Sequence, residues 1–78
     1  KTLQSLLLGH NQLKEVPESV TNLENLQLLD LSFNQLTTMP ANIGKLKKLQ
    51  TLLLTENNFS DAEKERIRQA LPNTYIYF

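Results

Sequence analysis

The chain contains no cysteine. Disulfide frameworks and thiolate metal sites are therefore excluded, although this alone does not fix the compartment. Eight basic residues balance eight acidic ones, so the formal net charge is zero. That balance lacks the electrostatic footprint of a nucleic-acid binder or of a protein held on an anionic membrane. No apolar run approaches the roughly 20 residues that cross a bilayer, so no membrane insertion is expected. No targeting segment is visible at the start. There is one histidine, with no GxSxG and no glycine-rich phosphate loop, so no catalytic constellation and no cofactor are expected. At 78 residues the chain is a single domain at most. It begins at Lys1 rather than Met, in mid-pattern, which predicts further residues upstream.

What the chain does have is a period. Leu3, Leu26 and Leu49 are 23 apart, and so are Leu6, Leu29 and Leu52, and Leu8, Leu31 and Leu54. Asn11, Asn34 and Asn57 keep the same step, as do Leu13, Leu36 and Phe59. The string LxxLxLxxNxL thus occurs three times, and chance does not put five columns in register. The second half repeats as well, with "VPESVTNLENL" lying over "MPANIGKLKKL". The boundaries are repeats at about 3–25, 26–48 and 49–59, and a C-terminal cap over 60–78, all within one domain spanning 1–78.

These columns resemble the leucine-rich-repeat proteins, in particular the bacterial ones with short 23-residue units that are abundant in pathogenic spirochaetes. The closing "IRQALPNTYIYF" resembles the ending of that group. The resemblance implies an α/β solenoid arc with a parallel concave sheet and a C-terminal helix–strand cap. It further implies a non-catalytic module for binding a protein, proposed in that family to be a host protein, in a secreted or cell-surface setting. Two other roles stay open: the recognition arm of a larger bacterial effector, and a self-assembling structural unit.

The physics of the repeat leads to the same architecture. Leu6 and Leu8 alternate in a strand period. One short strand cannot bury its apolar side alone, whereas stacked copies form a parallel sheet with strands about 4.8 Å apart. Parallel strands need a crossover, here the proline-containing arcs, which favour irregular or 3₁₀ turns. At 23-residue spacing, Asn11, Asn34 and Asn57 are expected to form a hydrogen-bonded ladder under the turns; the alternative is a set of solvated turn residues.

After Phe59 the pattern changes to "SDAEKERIRQAL". Ser60 precedes Glu63 by three, a capping-box signature, and Ile67, Ala70 and Leu71 form one narrow apolar stripe. A helix is expected there, with Asp61, Glu65, Arg68 and Gln69 in water. Glu63, Lys64 and Arg66 read as part of the same mixed-charge solvated face. "YIYF" then reads as a strand, with Ile76 and Phe78 closing the core as a lid.

The alternation sorts the strand residues by face. Ser5, Leu7, Gly9, Leu28, Asp30, Ser32, Thr51, Leu53, Thr55, Tyr75 and Tyr77 fall on the concave side. Leu7, Leu28, Leu53, Tyr75 and Tyr77 make that face unusually apolar for solvated sheet, with Asp30 between Leu7 and Leu53 to orient a partner. Such patches mark binding surfaces, although Leu and Tyr also simply suit a sheet. Beside this face run His10, Phe33 and Glu56. His10 and Glu56 are two strands apart, about 10 Å, too far to share a metal. "KLKK" at 45–48 lacks the aromatic interleaving of a single-strand nucleic-acid binder and reads as a solubilising cluster. Nothing in the repeat closes the edge of the first strand, so a homodimer through that N-terminal edge is expected.

Overall fold

The structure is a computed structural model that describes residues 2–78. Four short strands, β1 (Ser5–Leu7), β2 (Leu28–Asp30), β3 (Thr51–Leu53) and β4 (Tyr75–Tyr77), form one parallel sheet in sequential order. Leu6 pairs with Leu29, Leu29 with Leu52, and Leu52 with Ile76. That inward row, with Leu31, Leu54 and their neighbours, is one face of a continuous core. Leu29 and Leu52 are fully buried, each worth about 1.5–3 kcal/mol relative to exposure.

The opposite wall is made by the arcs. As their prolines predict, they carry 3₁₀ turns at Glu18–Asn22 and Ile43–Lys45 rather than long helices. Each arc is tied to the next element: Glu18 Oε2 accepts from the Asn42 N–H at 3.0 Å. Helix α1 (Asp61–Ala70) then packs against the second 3₁₀ turn with Ile67 buried. Gly44 sits at that contact. A Cβ there would stand 3.2 Å from the Ala70 carbonyl oxygen, so any larger residue would press on the helix backbone.

The asparagine column has two bridging members. Asn34 Oδ1 accepts from the N–H groups of Asn11 (3.0 Å) and Leu13 (2.9 Å), and its Nδ2 donates to the carbonyls of Leu8 and Leu31. Asn57 repeats this one step along, accepting from Leu36 N–H at 3.0 Å and donating to Leu31 and Leu54. Each amide reaches back to the preceding turn. Asn11 departs from the expected ladder for that reason: it is exposed, and among the described residues its amide bridges to no turn.

The lid differs from its sequence pattern in one respect. Ser60 Oγ accepts from the Glu63 N–H at 3.1 Å, but the Glu63 carboxylate does not return to cap the helix. It turns to the second repeat instead, accepting from Thr38 Oγ1 (2.8 Å), Met39 N–H (3.0 Å) and Arg66 Nη2 (2.6 Å). Arg66 also donates to the Met39 carbonyl at 2.8 Å. Glu63 and Arg66 therefore do not belong to a solvated face; they clamp the helix to the repeat it covers. The Arg66 hydrogen bond, aided by those from Met39 and Thr38, holds the Glu63 pKa at about 2, below its usual 4.5 and against the opposing effect of burial. Phe78 meets Phe59 edge-on at 6.0 Å. Arg68 lies 4.9 Å and Lys64 5.7 Å from the centroid of its ring; Arg68 remains exposed, as expected, while one side of it rests on the aromatic face.

Asn34→Ala should cost about 1–3 kcal/mol because it strands turn N–H and carbonyl groups, while Asn11→Ala should cost under about 0.5 kcal/mol; urea unfolding of both variants checks this. A second prediction concerns acid. The stability contributed by Glu63 is complete above pH 4.5 and is lost as pH falls towards 2, because its folded pKa is depressed. Glu63→Gln should therefore be less stable near neutrality and show a shallower loss between pH 5 and 2. Parallel urea midpoints across that range would contradict the clamp.

Candidate functional site

Strand alternation turns every second residue away from the core. With the register of the sheet, this produces aligned rows on the concave side. One row runs Ser5, Leu28, Thr51, Tyr75, and the next Leu7, Asp30, Leu53, Tyr77. Leu7 is 64% exposed, Tyr75 73% and Tyr77 54%, while Leu28, Asp30 and Leu53 are half-buried. All six residues singled out from the sequence thus lie on one face. Leu28 is diagonal to Leu7 and Leu53, and Leu53 stands beside Tyr77, so the apolar groups form a connected band with Asp30 set into it.

Asp30 is more constrained than its place in the pattern indicates. Its Oδ1 accepts from Ser32 N–H at 3.0 Å and from Ser32 Oγ at 2.7 Å. These bonds fix the carboxylate where the chain leaves β2. Gly9, in the neighbouring repeat, lies against the same group: a Cβ would stand 3.3 Å from Ser32 O and Oγ and 3.5 Å from Asp30 Oδ1.

The rim column has a conformational cause that sequence reading missed. His10, Phe33 and Glu56 all adopt left-handed backbone, with φ of 62°, 58° and 61°. The strand ends there and the chain must reverse direction. His10 and Phe33 stack with ring centroids 4.4 Å apart and planes 9° from parallel, so His10 is half of a ring pair rather than an isolated turn residue. The recurrence of these positions just before each asparagine was the available signal. Among the described residues, no three His, Cys, Asp or Glu side chains are placed to share a metal.

On the convex side, Lys45 Nζ donates to Asn22 Oδ1 at 2.9 Å and Lys48 Nζ to Asn25 Oδ1 at 3.0 Å. Each pair is separated by one repeat, so two lysines of the basic cluster form rungs between arcs. A hollow on that side lies between Gly44, Lys47 and the turn after α1. None of the six concave residues lines it, and Lys47 is the one charged residue in its lining. No helix among the described residues is long and apolar enough to cross a membrane.

A family model described as leucine rich repeat matches residues 1–59. No curated protein matches the chain. Among solved structures, a leucine-rich-repeat protein of Leptospira interrogans is similar over 97% of this chain and 25% of its own, with TM-score 0.63 and 35% sequence identity. The chain therefore spans about a quarter of the length of that relative. A repeat model matching most of the sequence, together with a four-stranded parallel arc similar to part of a spirochaete protein, leads to one conclusion: the chain belongs to the leucine-rich-repeat family.

Proposed function

We propose that this domain is a non-catalytic module that binds a protein partner on its concave face. Leucine-rich-repeat domains in general mediate protein–protein interaction, and the observation that carries the reading here is the exposed band of Leu7, Tyr75 and Tyr77, continuous with half-buried Leu28 and Leu53. Large aromatic and aliphatic groups held on rigid strands lose little entropy on docking and suit interface anchors. A secreted or cell-surface setting with a host protein as partner is the finer form of this proposal, and the likeness to a spirochaete relative favours it. The recognition arm of a larger effector would use the same face, and a similar protein about four times longer than this chain is compatible with it.

Peptides selected from a displayed library against the chain provide ligands for the test. Tyr77→Ala should weaken them by about 2 kcal/mol or more, whereas Lys47→Ala on the convex side should change binding by under about 0.5 kcal/mol. Equal losses on the two faces would contradict the assignment.

A second reading, self-association, rests on a different observation. Among the described residues β1 is the edge strand of the sheet, Leu3 is 43% exposed, and Leu6, Leu8 and Leu13 are only half-buried. Two such edges meeting antiparallel about a two-fold axis normal to the sheet would join both cores while keeping both concave faces on one side. Light scattering over a concentration series should then show a dimer that Leu6→Lys dissociates. A strict monomer would rule out this reading and leave the concave-face proposal standing.

A further inference from the structure

We propose that the concave face is built around one charge match: Asp30 receives a single Lys or Arg side chain of the partner protein, set within an otherwise apolar contact. This inference rests on the concave face being the docking surface.

Asp30 is the one charged residue among the concave positions, and Glu56 on the adjoining rim is acidic as well. Among the described residues, no Lys or Arg occupies a concave position to neutralise it. The carboxylate is also half engaged. Oδ1 holds both Ser32 donors, while Oδ2 has no hydrogen-bond partner among the described residues. The orientation of the group is thus settled before any partner arrives, leaving one oxygen to accept. Gly9 lies against the engaged oxygen, where a Cβ would stand 3.5 Å from Oδ1 and 3.3 Å from Ser32 O and Oγ. Leu7 and Leu53 flank Asp30 in the same row.

The decisive argument is desolvation. A partner that covers Leu7, Leu28 and Leu53 must also take Asp30 out of water, because it is embedded in their band. Burying an unpaired carboxylate is strongly unfavourable, and a hydrogen-bonded counter-charge offsets that cost. The apolar flanks strengthen the attraction by lowering the local dielectric. A wholly apolar or acidic partner surface is therefore penalised here, and one presenting a lone cation is selected.

The test is a displayed peptide library selected in parallel against the native chain and Asp30→Asn. Asparagine retains an oxygen that accepts from Ser32, so the turn should be preserved, and circular dichroism verifies this. Peptides from the native selection should carry Lys or Arg at one fixed position in an apolar frame. Replacing that residue by an uncharged isostere, citrulline for Arg or norleucine for Lys, should weaken binding at least 10-fold to the native chain. The same replacement should change binding less than 2-fold against Asp30→Asn. If basic residues are not enriched, or the isostere binds equally to the native chain, while Tyr77→Ala still abolishes binding, the charge match is wrong and the concave-face reading survives. Ligands indifferent to both Tyr77→Ala and Asp30→Asn, or a selection that yields none, would overturn both.

Discussion

The structure depends on a constraint that no single repeat satisfies: the turns after β1 and β2 leave backbone N–H groups that a side chain of the following repeat caps. Asn34 and Asn57 meet that need. Each spans a pair of turns with a single amide, accepting N–H groups from the turn before it and donating to carbonyls on both sides. Because the bond joins residues one period apart, it also sets the register of the sheet. Leu6, Leu29 and Leu52 fall into one row only while the turns stay in step. The concave rows follow from the same register, so the candidate site is a by-product of a hydrogen-bonding requirement on the opposite side of the strand.

Stacking of this kind leaves an end that must be closed differently. At the C-terminal end, the closure combines an apolar stripe with a polar clamp. Ile67 and Leu71 bury against the last full repeat, and the Glu63–Arg66 pair fastens the helix to the Met39 backbone and to Thr38. The clamp spends charge on backbone groups that an arc would otherwise leave to water. The closing strand adds aromatic residues to both faces: Phe78 beneath the lysine and arginine of the helix, and Tyr75 and Tyr77 on the concave surface. The cap therefore contributes both to stability and to the candidate site.

Much of this was legible in the sequence because period and alternation act over every repeat. The inward leucines, the six concave residues, the 3₁₀ arcs and the terminal helix all follow from spacing alone. What escaped depends on what the neighbouring element presents. Glu63 has the spacing of a local cap, yet Thr38 and Met39 lie within its reach and compete for it. Asn11 has the same motif position as Asn34 but reaches no turn among the described residues. The left-handed backbone at His10, Phe33 and Glu56 was hidden because none is glycine, the residue that usually announces such a conformation. Lys45 and Lys48 looked like free charge until their partners, Asn22 and Asn25, were seen one period away.

The central claim is that partner recognition is confined to the concave band. The most direct measurement is chemical-shift mapping by nuclear magnetic resonance, with an isotope-labelled chain titrated with a selected ligand. Confinement predicts that the largest changes fall on the methyls of Leu7, Leu28 and Leu53 and on the rings of Tyr75 and Tyr77, with the α1 surface and Lys45–Lys48 unmoved. Changes centred on α1 or on the convex lysines, with the concave methyls silent, would contradict it.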